Sequence, residues 1–184
     1  MKNLPSPYRY LLFLLLGIVW IYASQAPPGG TTSGRIPAPQ TGFLAPDFEL
    51  EDTSGNPIRL SDLNGKPVLL NIWASWCTPC RAEMPAMQRV YETYASQGFT
   101  ILAVNATNQD QITNAVSFAA EMGLSFPILF DHQGQISKLY QVQALPTSFF
   151  IDAQGVIQEV VVGGPMSEAL LEIRVQQLLK GTGE

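Results

Sequence analysis

The 184 residues are 46% hydrophobic and 14% charged, too apolar for a disordered chain and sufficient for one packed core. The net charge of -5 hides an asymmetry: before Gly42 the only charges are Lys2, Arg9 and Arg35, and beyond it seven Lys and Arg face all 15 Asp and Glu, leaving that portion near -8. No Lys/Arg cluster is interleaved with aromatics, so the electrostatic footprint of nucleic-acid binding is missing and nucleic acid is not expected as a partner.

Lys2 and Arg9 precede an uncharged apolar run over residues 11–23, the pattern of a signal anchor or a signal peptide. The run is shorter than the roughly 20 residues that span a bilayer, but Tyr8, Tyr10, Trp20 and Tyr22 suit interfacial anchoring and residues 24–26 can lengthen the helix. Ser24-Gln25-Ala26 has cleavage-site spacing, yet cutting there would leave Pro27 just after the scissile bond. Residues 1–26 are therefore read as an uncleaved anchor, with secretion after cleavage as the alternative. Positive charge ahead of the run places the N-terminus in the cytoplasm and the rest outside. Residues 27–41, rich in Pro, Gly, Ser and Thr, are read as a flexible linker, and residues 42–184 as one domain.

In that domain, Phe48-Glu49-Leu50 and Ile58-Arg59-Leu60 flank a polar turn and predict a hairpin. The apolar run 68–73 predicts a strand covered on both faces. A helix is expected over 79–96, with Pro79 in its first turn and Pro85 kinking it. Residues 100–106 read as a strand, and 109–122 as a helix carrying Ile112, Val116, Ala119 and Ala120 and ending at Gly123. A strand at 127–130, a short helix at 135–140, strands at 148–151 and 156–162 and an amphipathic helix at 166–179 complete a layered α/β pattern.

The chain's two cysteines, Cys77 and Cys80, stand where the strand at 68–73 gives way to a helix. A helix N-terminus offers unpaired N–H groups and a positive dipole end, which favour a thiolate, so Cys77 is the expected nucleophile. Cys80, one turn on, is the expected resolving thiol. An inert pair or half of a metal site are the alternatives. The Trp-Cys-x-Pro-Cys context opposes the first; the second fails for want of ligands, since His132 is the only histidine and there is no second cysteine pair. No metal or cofactor is expected.

The segment 71–85, from Asn71 through Trp76-Cys77-Thr78-Pro79-Cys80 to Glu83 and Pro85, resembles the active-site segment of the TlpA/ResA branch of thioredoxin-like proteins. Ala45-Pro46-Asp47-Phe48, Gly123-Leu124-Ser125-Phe126-Pro127 and Leu145-Pro146-Thr147 resemble three further motifs of that family. The resemblance implies a thioredoxin-like fold with an N-terminal β-hairpin and a central αβ insertion. It also implies a cis Pro146 facing the cysteines, in a loop that contacts substrate backbone and keeps metals from the thiols. Trp76, Thr78, Pro79, Leu145 and Pro146 are accordingly expected to bind substrate.

Glu83 matches a family acid. Three residues past Cys80 on the same helix, it is near enough to shift a thiol pKa or pass a proton; an exposed carboxylate favoured by the helix dipole is a nearly even alternative, and the resemblance tilts the reading toward function. Asn71 stands where cytoplasmic thioredoxins carry a buried aspartate, which makes Glu83 the better acid-base candidate. Trp73 is read as packing, and His132 as part of a polar turn with no task.

The resemblance implies an extracytoplasmic thiol-disulfide oxidoreductase that reduces disulfides of secreted or exported proteins, such as apocytochrome c, with electrons from a membrane thiol donor. Three other functions are open. A disulfide-donating oxidase is one, since Thr78-Pro79 alone does not set the redox poise. A thiol peroxidase is another, because the motif at 45–48 also occurs in peroxiredoxins, although Ala74 stands where those place Thr or Ser. The third is a non-catalytic docking module, which would not require both the cysteine pair and the proline loop.

Overall fold

The computed structural model describes residues 36–181; the expected anchor and most of the expected linker lie outside the described residues. No helix among the described residues is long and apolar enough to cross a membrane. From its first residues the described chain is tied into the domain. Ala38 N–H donates to the Leu44 carbonyl, Gly42 N–H to that of Ile157, and Ala45 N–H to that of Gly155.

A short antiparallel hairpin, β1 (Glu49–Glu51) and β2 (Pro57–Arg59), precedes β3 (Val68–Trp73), α1 (Thr78–Tyr94), β4 (Thr100–Asn105) and α2 (Ile112–Glu121). Then come β5 (Ile128–Phe130), α3 (Gln135–Leu139), β6 (Thr147–Ile151), β7 (Ile157–Val162) and α4 (Glu168–Leu179). The main sheet runs β5-β4-β3-β6-β7. β3 is parallel to β4 and antiparallel to β6, with Ile72 opposite Thr147. The fold is thioredoxin-like: α2 and β5 form the inserted αβ unit between β4 and α3, and β5 extends the sheet as an edge strand beside β4.

Every residue of β3 is buried, as a central strand with both faces covered requires. Alternation divides it. Leu69 and Trp73 pack with Met84, Met87 and Val90 of α1, Phe118 of α2 and Leu171 and Val175 of α4. Val68, Leu70 and Ile72 face Phe48, Leu60, Ile136 and Tyr140 on the other side. Asn71 falls on the α1 side by the same period, the one polar residue of the strand. The Tyr140 ring stands edge-on to Phe48 and Phe149, and its hydroxyl donates to the Pro46 carbonyl at 2.6 Å, fastening the N-terminal segment to the core.

The structure departs from the sequence expectation at three helix ends. α2 begins at Ile112 rather than residue 109, because Asp110 is extended (φ -134°, ψ 166°) with its carboxylate bonded elsewhere; a 3-10 turn, Thr107–Gln109, precedes it. α1 is continuous through Pro85 and closes in a 3-10 turn at Ala95–Gln97. α4 begins at Glu168, where the Ser167 hydroxyl accepts the Leu170 N–H. The Leu145–Pro146 bond is cis, as the resemblance implied; Gly164–Pro165 is cis as well, which no sequence feature announced.

Candidate active site

Antiparallel pairing sets the C-terminal end of β3 beside the N-terminal end of β6, and the pairing of Thr147 with Val162 adds the end of β7. Three connections therefore meet at one corner: residues 74–77, Leu145–Pro146 and residues 163–166. Cys77 and Cys80 are joined there by a disulfide (S–S 2.05 Å). Cys77 is the N-cap of α1, with extended backbone, and its sulfur accepts the Cys80 N–H at 3.3 Å. Pro79 lies in the first turn, where its missing N–H costs no hydrogen bond. No acidic side chain occupies that turn, so nothing there opposes a thiolate on Cys77. Cys77 retains 4% exposure and Cys80 none.

The strand-helix loop is clasped from the side. The Asp110 carboxylate accepts the Ser75 N–H at 2.6 Å, the Ser75 hydroxyl at 2.7 Å, the Asn105 amide at 2.8 Å and the Gln111 N–H at 2.8 Å. Burial works to raise the Asp110 pKa, but these bonds from Asn105, Ser75 and Gln111 outweigh it and hold the carboxyl below its ordinary value. The Trp76 indole N–H donates to the Gln109 carbonyl at 2.9 Å while the side chain stays 58% exposed. Arg81 lies over the Phe118 ring, 4.2 Å from its centroid, and donates to the Ser75 carbonyl.

Glu83 is fully buried, which decides against the exposed-carboxylate reading. Burial pushes its pKa up, opposed by the Met166 N–H on Oε2 (3.1 Å) and the Asn71 amide on Oε1 (2.9 Å). The Asn71 amide also donates to Ser148 Oγ at 2.9 Å, while Asn71 Oδ1 has no hydrogen-bond partner among the described residues.

A cleft of about 450 Å³ opens at this corner. Trp76, Cys77, Thr78, Pro79 and Leu145 line it together with Gln109 and Gln143, and no charged side chain contributes to its wall. Next to Leu145 in the chain, the Pro146 ring lies against Gly164. Among the described residues no group of His, Cys, Asp and Glu is placed to hold a metal ion. Ser75, Asp110, Gly164 and Met166 belong to the site without having been singled out from the sequence. The Asn-x-x-x-x-Asp spacing of Asn105 and Asp110 after a strand was the one available signal, and it reads equally as a polar turn.

The AhpC/TSA family model matches residues 41–160. The chain is 45% identical over 122 residues to thiol-disulfide oxidoreductase ResA of Geobacillus kaustophilus, a match covering 66% of this chain and 69% of that protein. It is 46% identical over 125 residues to the thioredoxin-like protein YneN of Bacillus subtilis, covering 67% and 72%. Among solved structures it is similar to a thioredoxin-family thiol:disulfide interchange protein from Chlorobium tepidum (TM-score 0.68, 32% identity, 74% of this chain and 95% of that one).

Proposed function

Because the chain belongs to the AhpC/TSA family, among its ResA-like thiol-disulfide oxidoreductases, we propose that Cys77 and Cys80 reduce disulfides of exported proteins outside the cytoplasm. The observation that carries this reading is the unequal placement of the two cysteines at a helix N-terminus: Cys77 keeps 4% exposure and borders the cleft, and Cys80 keeps none.

In the reduced pair, the Cys77 thiolate attacks one sulfur of a substrate disulfide. A Cys77–substrate bond forms, the substrate S–S bond breaks, and the departing thiolate takes a proton. Cys80, as thiolate, then attacks the Cys77 sulfur, regenerating the internal disulfide and releasing the second substrate thiol. Two electrons pass to the substrate, and a thiol donor at the membrane restores the pair. Glu83 accepts the proton that Cys80 must lose, a role suited to a buried carboxyl whose pKa is raised. Trp76, Thr78, Pro79 and Leu145 border the substrate segment, and the Pro146 loop meets its backbone. Residues 1–26 anchor the domain on the outer face of the membrane, the linker ahead of Pro37 tethers it, and apocytochrome c is one suitable client.

The reduction potential of the Cys77–Cys80 couple, measured in the full chain by equilibration against thiol buffers, tests the direction. A value near or below about -270 mV supports reduction, whereas one near about -120 mV makes the protein a disulfide donor. A peroxidase is disfavoured: Ala74 is buried and apolar, and the neighbouring Ser75 hydroxyl is committed to Asp110.

A further inference from the structure

The segment after β7 touches both halves of the site through its backbone. Gly163 N–H donates to the Pro146 carbonyl at 2.7 Å, and Met166 N–H donates to Glu83 Oε2 at 3.1 Å. Between them, Gly164 passes so close that an added Cβ would stand 2.9 Å from Glu83 Oε2 and 2.9 Å from Pro146 Cγ, nearer than side-chain carbons approach. Its φ lies outside the left-handed region, unlike that of Gly163 at 86°, so space rather than backbone conformation demands glycine here. Neither neighbour can retreat easily: the Glu83 carboxylate is buried against Asn71, and the proline ring is rigid.

We propose that Gly164 is a positioning residue for the redox pair, its missing side chain allowing one backbone segment to seat the Glu83 carboxylate and the Pro146 ring together. The inference rests on the reading of Cys77 and Cys80 as the reducing centre with Glu83 as proton acceptor. The groups facing Glu83 are Asn71 from β3, the Met166 N–H, Gly164 and Pro146. In the reduced pair the titratable group nearest along its own helix is the Cys80 thiol, three residues earlier. Arg174 of α4, which reaches the Met166 sulfur, is paired with Glu159.

The test follows decay of the Cys77–glutathione mixed disulfide across pH in the full chain, with acid quench and mass detection. G164A crowds the carboxylate off the Met166 N–H, removing a donor that favours its charged form. The pH midpoint of resolution should therefore rise by about one unit. In an E83Q background the same substitution should leave the profile unmoved, since the group it acts through is gone. If crowding costs G164A its fold, G164A/E83D, which shortens the carboxylate arm by one methylene, should recover both the fold and the E83D profile.

An unmoved midpoint in G164A, a shift that persists without Glu83, or no recovery in the double variant overturns the proposal. An E83Q midpoint equal to wild type overturns it too, while leaving the cysteine chemistry standing. A wild-type chain that never forms the glutathione adduct sinks the reading of the pair itself.

Discussion

Asp110 holds Ser75 twice, by its backbone N–H at 2.6 Å and by its hydroxyl at 2.7 Å, two residues before Cys77. D110A leaves the buried Ser75 without either partner and should cost about 1–3 kcal/mol. Because the folded-state pKa of Asp110 is depressed, its contribution is present above the ordinary value of 3.8 and is lost as pH falls through the lower folded value. Urea midpoints measured against pH should show an acid limb that flattens in D110N; an unchanged limb would assign that pH dependence to other carboxyls.

Glu83 has the opposite sign. Its raised folded pKa means that its contribution is intact below the ordinary value of 4.5 and is lost as pH rises through the raised value. The oxidised domain should lose stability on going from acid toward neutral pH, and E83Q should remove that slope. Chemical denaturation at a series of pH values checks it, and an identical slope in the variant would count against a buried, ionising Glu83.

The unequal exposure of the two cysteines predicts what can be trapped. C80S should accumulate a stable mixed disulfide with substrate, since nothing remains to displace it, whereas C77S should accumulate none. Non-reducing gels after acid quench read both. Equal trapping by the two variants would mean that Cys80 is reachable.

Tyr140 belongs to the core cluster on the other face of the sheet from the one that holds the cysteines, and it bonds the Pro46 carbonyl at 2.6 Å. Y140F keeps the ring contacts with Phe48 and Phe149 and loses only the hydroxyl, so it should cost about 1 kcal/mol and leave thiol exchange at the wild-type rate. Denaturation and exchange kinetics on the same sample separate the two effects.

Much of the fold was legible because its signals are local. The run at 68–73 is apolar on both faces, Asp152 to Gly155 punctuate the last hairpin, and Gly123 stops α2. The cysteine pair was legible for the same reason: both cysteines and the helix start lie within four residues. What escaped depends on contacts across the chain. Asp110 looks like a helix-starting residue until Ser75, 35 positions earlier, draws its side chain away. Glu83 read nearly evenly as exposed or functional, and its burial is decided by Met166, 83 positions later. Gly164 carries no positive-φ requirement, and its crowding exists only once β7 has returned beside Pro146.

The complete seclusion of Cys80 bears on how copies of this protein behave when oxidant is plentiful. The chain has two cysteines and no others; they are bonded to each other, and Cys77 alone keeps any exposure. In its dealings with foreign sulfur the folded molecule is therefore monovalent. Oxidation closes the pair within each copy and leaves no thiol over to join a second, so it cannot knit copies into chains or gels.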